Sequence, residues 1–108
     1  MQRQDLLENQ LKQVQIELDN SNIETALGLI QEILKVNPNQ PQALRLLGVL
    51  CKKSGKFQEA EAYIIESLKQ VETAQAWSDL AAIHIELAKP ESALLSANEA
   101  LKIDIKNI

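Results

Sequence analysis

The chain has 108 residues, of which 45% are hydrophobic and only 3% aromatic, with a formal net charge of −4 at pH 7. That is the size of one small domain with an aliphatic core, and the acidic balance argues against nucleic acid or an anionic membrane as the main partner. A single cysteine, Cys51, excludes an internal disulfide and fits a reducing, cytoplasmic compartment.

Leu7, Leu11, Val14 and Leu18 recur on one helical face and predict a helix over about Gln4 to Leu18. A turn over Asp19 to Asn22 follows, where Ser21 with Glu24 predicts a capping box. The helix it opens runs to about Val36, with Ala26, Ile30, Ile33 and Leu34 inward. Gly28 inside it costs about 1 kcal/mol relative to alanine, which implies a close helix contact or a locally weak helix. Asn37 to Gln40 end that helix, and Pro41 suits the first position of the next. The third helix stops near Ser54-Gly55, where glycine accepts a left-handed cap. A fourth spans about Phe57 to Gln70, and Glu72-Thr73 breaks the chain before a fifth over about Ala74 to Leu87. Pro90 opens a sixth that runs to about Lys102. The connections are short, so consecutive helices are antiparallel neighbours. No stretch approaches the roughly 18 apolar residues of a membrane span, and Met1 to Glu8 lack the apolar run of a signal peptide. The expected setting is intracellular, as a whole protein or a piece of a longer one.

The helix pairs repeat. Ile23, Phe57 and Pro90 align with spacings of 34 and 33 residues. Ala26, Ala60 and Ala93 then coincide, as do Ile30, Ile64 and Ala97, and Leu34, Leu68 and Leu101. Ahead of them Leu44 matches Trp77, Leu47 matches Leu80, Gly48 matches Ala81 and Leu50 matches Ile83. A period near 34 with two helices per unit marks a helical repeat array. Small residues recur where helices cross closely, so a large residue at Gly48 is expected to overpack the crossing by roughly 1–3 kcal/mol.

These residues resemble the tetratricopeptide repeat. The second copy carries Leu44, Leu47-Gly48, Cys51, Ala60, Ile64 and Ser67, with Glu72 where proline is usual. The third carries Trp77, Leu80-Ala81, His84, Ala93, Ala97 and Ala100, with Ile105 in place of the proline. The first keeps Ala26, Ile30, Ile33 and Pro38, but strict register would put Gln10, Gln13 and Glu17 in its core. A one-residue slip supplies Leu11, Val14 and Leu18 and is preferred. The resemblance implies an all-α fold: one domain over 1–108, an α-solenoid of three antiparallel helix-turn-helix repeats (about 7–40, 41–73 and 74–107) in a right-handed superhelix. It also implies a non-catalytic scaffold for protein–protein interaction, of a kind common in bacteria.

The chemistry-bearing residues read as structural. His84, the only histidine, holds the repeat position of Cys51 and of the family's tyrosine, between the two helices of a pair. Cys51 is followed by Lys52 and Lys53, which would lower a thiol pKa, but its repeat position marks a packing residue. Trp77 falls on a large core position. Glu59 and Glu61 are expected to face solvent on opposite sides of their helix. No His/Cys cluster has metal-ligand spacing, no triad surrounds the lone histidine, and no cofactor is expected.

In the family the first helices of the repeats line the concave face, where partners lie. Transfer by position assigns Arg45, Leu46, Val49, Lys52 and Lys53 with Gln42, and Gln75, Ser78, Asp79, Ala82 and Glu86 with Ile85. Lys12, Ile16 and Asp19 are candidates from the first helix. The partner implied is a protein or peptide with acidic character near Arg45–Lys53; the alternative is that the basic strip Arg45-Lys52-Lys53 and the acidic strip Asp79-Glu86 only neutralise each other across adjacent helices. The carboxylate clamp of chaperone-binding relatives is not matched, since Leu46, Gln75 and Asp79 stand at clamp positions. At the far end, Leu94, Ala97, Leu101 and Ile105 form an apolar edge that a next repeat would cover. That edge suggests a homodimer, or an accessory module that positions a neighbouring catalytic domain.

Overall fold

The computed structural model describes residues 2–106. Among them are six α-helices and no strand: α1 (Arg3–Asp19), α2 (Ile23–Val36), α3 (Pro41–Lys53), α4 (Phe57–Gln70), α5 (Ala74–Glu86) and α6 (Pro90–Lys106). Three-residue turns join α1 to α2, α3 to α4 and α5 to α6, and all three are built alike. Ser21, Gly55 and Ala88 take left-handed backbone, with φ of 61°, 78° and 58°. The amides of Asn22, Lys56 and Lys89 reach back to the carbonyls of Glu17, Cys51 and His84 at 2.8, 2.9 and 2.8 Å. The amides of Ser21, Gly55 and Ala88 bond Leu18, Lys52 and Ile85. Each is a Schellman closure that satisfies the last carbonyls of its helix and reverses the chain.

This corrects one expectation. Ser21 closes α1 instead of opening α2, so the capping box with Glu24 does not form, and the N-cap Asn22 makes no side-chain cap bond. The side-chain caps lie between pairs. Gln40 Oε1 accepts the amide of Ala43 at 2.7 Å and Thr73 Oγ1 accepts that of Ala76 at 3.1 Å. Pro41 starts α3 as expected. α6 continues four residues past the expected Lys102, because Ile105 stands where a proline would end the helix. The expected end of the third repeat at Asn107 lies outside the described residues.

Two apolar clusters follow. One joins Val14 and Leu18 of α1 to Ala26, Ile30 and Ile33 of α2 and to Ala43, Leu46 and Leu50 of α3. The other joins Cys51, Ala60 and Ile64 to Ala76, Leu80 and Ile83. The slipped register of α1 is the observed one: Val14 and Leu18 are fully buried, and Gln13 is exposed. Gly28 is exposed, and a Cβ there would meet nothing within 4 Å, so it marks no close contact.

Gly48 does mark one. A Cβ built there would lie 2.6 Å from Ile64 Cδ1 and 3.2 Å from the Ala60 carbonyl oxygen. In the third copy Ala81 replaces Gly48 and Ala97 replaces Ile64, so the crossing trades bulk between its two sides. Gly48→Ala should therefore destabilise by about 1–3 kcal/mol, and adding Ile64→Val should recover part of that loss in a urea-denaturation double-mutant cycle. Ala88→Gly relieves left-handed strain at a non-glycine residue and should raise stability by about 1 kcal/mol, read as an upward shift of the thermal midpoint.

Each helix packs on the next, and α1, α3 and α5 also touch in sequence, whereas α2, α4 and α6 do not touch one another. The first helices of the pairs therefore form the inner, concave layer and the second helices the outer one.

Candidate functional site

The inner layer presents one face of α1, α3 and α5. Gln42, Lys53, Gln75, Ser78, Ile85 and Glu86 are exposed on it, and Arg45, Val49, Lys52, Asp79 and Ala82 are half-buried. From α1, Lys12, Ile16 and Asp19 are exposed. Leu46, expected in the groove floor, is only 3% exposed and packs in the first apolar cluster. The reason lies in the repeat. Leu46 matches Asp79, a position that points back at the preceding inner helix. In α3 that neighbour offers the apolar residues of α1; in α5 it offers Arg45.

Arg45 Nη1 donates to Asp79 Oδ2 at 2.8 Å. Its side chain and that of Asp79 are mostly withdrawn from water, so the pair joins α3 to α5. The expected basic strip is thereby shortened: Arg45 is neutralised, and Lys52 and Lys53 carry the positive charge of α3. Among the described residues neither these lysines nor Lys12 forms an ion pair. The apolar part of the face is Ile16, Val49, Ala82 and Ile85, with Ile85 68% exposed.

A second polar group sits between α4, α5 and α6. His84 is buried, with Nε2 at 2.9 Å from Glu61 Oε2 and Nδ1 at 3.2 Å from Ser96 Oγ. A carboxylate takes only a donated proton, so the hydrogen on Nε2 points at Glu61, and the Ser96 hydroxyl lies at Nδ1. Lys89 Nζ donates to both Glu61 oxygens, at 3.2 and 3.0 Å. Glu61 is thus half-buried and bonded, not solvent-facing as expected; Glu59 is exposed. Burial opposes the charged form of Glu61, but the hydrogen bond and charge of Lys89, aided by His84, outweigh it and hold the carboxyl below its ordinary value.

Serine, histidine and carboxylate stand here in hydrolase order, a juxtaposition missed in the sequence. Ser96 is 2% exposed, so no substrate carbonyl reaches its hydroxyl, and the three groups tie three helices together. The sequence signal was present: Glu61 matches Leu27 and Leu94, and Ser96 matches Leu29 and Tyr63. Cys51 is also buried. Burial raises its thiol pKa, with Glu59 adding to the effect and Lys56 opposing it, so the neighbouring lysines do not activate it. Trp77 is half-buried in the second cluster and donates through Nε1 to Glu72 at 3.2 Å. No group of three metal-ligating side chains occurs among the described residues, and none of their helices is long and apolar enough to cross a membrane.

Paired helices, a 34-residue period and small residues at each crossing define a repeat architecture. A family model for the tetratricopeptide repeat matches residues 11–63 and again 52–108. The chain belongs to the tetratricopeptide repeat family. Over 72 residues, 66% of the chain, it is 29% identical to Superkiller complex protein 3 of Mus musculus, of which it covers 5%. It superposes on a thermophilic TPR protein of Thermus thermophilus with a TM-score of 0.71 at 24% identity, covering 81% of this chain and 45% of that one. On MamA (MSR-1 C2) the TM-score is 0.76 at 18% identity, with 91% and 59% covered. The chain thus spans about half of these two structures, and the likeness to them is one of fold. Tetratricopeptide repeats generally mediate protein–protein interaction, and the fold is typically a non-catalytic scaffold.

Because the folded-state pKa of Glu61 is depressed, its contribution is complete above the ordinary glutamate value and is lost as pH falls through the lower, folded one. Glu61→Gln should therefore lower the urea midpoint at pH 7, and the gap to the unaltered chain should narrow at pH 3. An equal gap at both pH values would assign the loss to packing instead of charge.

Proposed function

We propose that this tetratricopeptide repeat chain is a non-catalytic scaffold that takes a protein or peptide on the concave face of α1, α3 and α5. The observation that carries the reading is a strip in which apolar Ile16, Val49, Ala82 and Ile85 lie beside Lys12, Lys52 and Lys53, cations without an ion-pair partner among the described residues. Apolar side chains supply affinity once covered, and the lysines favour an acidic segment and speed its arrival. The partner that fits is an amphipathic peptide whose acidic residues lie along α3, with Gln42, Gln75 and Ser78 offering polar contacts at one end and Glu86 disfavouring acid at the other. Arg45 and Asp79 act in this reading as a strut below the peptide. The segments 7–40, 41–73 and 74–107 serve as the three repeats of one domain, in a cytoplasmic setting that keeps Cys51 reduced.

A second reading, an accessory module acting through α6, is supported by the exposure of Leu94, Leu101 and Ile105.

The groove reading is tested with an array of acidic amphipathic peptides against the chain and its Lys52→Glu/Lys53→Glu variant. Neither lysine is buried, so the variant should keep its helical circular dichroism. Loss of at least about tenfold in affinity for the captured peptides is expected, together with weakening by salt. Undiminished binding by the variant would remove the groove from the function.

A further inference from the structure

α6 carries a face whose counterpart in the first pair is covered. In α2 the positions Leu27, Ile30 and Leu34 are half-buried, buried and half-buried beneath α3. The matching residues of α6 are Leu94, Ala97 and Leu101, and here Leu94 and Leu101 are 64% and 56% exposed. α6 packs on α5 alone. Its extra turn adds Ile105, 66% exposed, to the same face.

Three observations select the occupant. First, α1 does not complement this face. The α1 residues that match Ala43, Leu46 and Leu50 are Gln10, Gln13 and Glu17. Gln13 and Glu17 hydrogen-bond each other at 3.1 Å on an exposed surface, so head-to-tail stacking would bury polar groups on leucines. Second, Leu94, Asn98, Leu101 and Ile105 follow one another at intervals of four, three and four residues. That spacing reads the same in both directions, so an antiparallel copy places Leu94 on Ile105 and Asn98 beside Leu101, with the two Asn98 amides within reach of each other near the axis. A single polar residue in such a seam favours one register. Third, antiparallel pairing opposes the unlike ends of the two helix dipoles and sets Glu91 of the first turn toward the last turn, where Asp104 and Lys106 offset each other, whereas parallel pairing stacks Glu91 on Glu91.

We infer that α6 is a two-fold interface at which a second copy of this chain docks through its own α6, antiparallel, along Leu94, Asn98, Leu101 and Ile105. The inference rests on the accessory reading of α6 and names its partner; it is independent of the groove. A symmetric pair uses one self-complementary patch twice and closes without open ends.

Light scattering of the chain from micromolar to millimolar concentration tests it, alongside Leu101→Glu and Leu94→Glu, both at exposed positions. A dimer is expected for the unaltered chain and monomers of unchanged helicity for both variants. Spin labels at Lys102 or at Glu91, in a Cys51→Ser background, then report the direction of pairing. The antiparallel register separates the two labels along the axis by about 8 Å at position 102 and about 25 Å at position 91. Equal spacing at both positions overturns it. A monomer at every concentration overturns the second copy as partner and leaves the accessory reading standing. A dimer that survives both glutamate substitutions overturns α6 as the two-fold interface.

Discussion

The close crossing within each helix pair is the contact on which the rest of the architecture depends. Gly48 admits Ile64 because glycine has no side chain, and Ala60 lies directly beneath it. That closeness sets how α3 and α4 lie on each other, and hence which residues remain outward to meet α5. None of the pairs buries its apolar stripe by itself, so an error at one crossing would displace the interface to the next pair as well. The turns contribute in the same sense. Three identical Schellman closures reverse the chain after the same number of residues, and this keeps successive crossings in register.

Much of this was legible in the sequence because it rests on periodic features. The recurrence of Ala26, Ala60 and Ala93 located the crossings, Gly55 located a turn, and the run Leu7, Leu11, Val14 and Leu18 gave the register of α1 despite its weak likeness to the other copies. What escaped was what depends on the adjacent helix in space or on the end of the preceding one. Ser21 looked like a helix opener by its spacing from Glu24, but its backbone is claimed by the end of α1. Leu46 looked like groove floor by position, but the helix behind it is apolar and draws it into the core. Its counterpart Asp79 faces an arginine and stays half-exposed. Glu61, assigned to solvent, is held by Lys89 and His84. The helix faces that carry the residues transferred from the family were legible; which of their charges pair was not, because the Arg45–Asp79 contact appears only once α3 and α5 are side by side.

Such departures have a common physical sense. An array of near-identical units risks stacking in the wrong order, since any outer helix could accept any inner one. Polar residues at positions that are apolar in the other copies make the interfaces unlike. Glu61 meets His84 and Lys89 only if the third pair follows the second, and Arg45 finds Asp79 only in the same order. A mispaired stack would leave His84 Nε2 and the half-buried Glu61 carboxylate without each other, at a cost well above that of a lost apolar contact.

The outer helices α2, α4 and α6 do not touch one another, while α1, α3 and α5 do. Mechanically the molecule is a bent strip whose inner side is continuous and whose outer side is interrupted. Flexing it widens or narrows the spaces between outer helices without breaking any packing among them. Resistance to bending therefore rests on the contacts of α2 with α3 and of α4 with α5, where each outer helix seats on the next inner one, and on the Glu61–Lys89 bond across that seam.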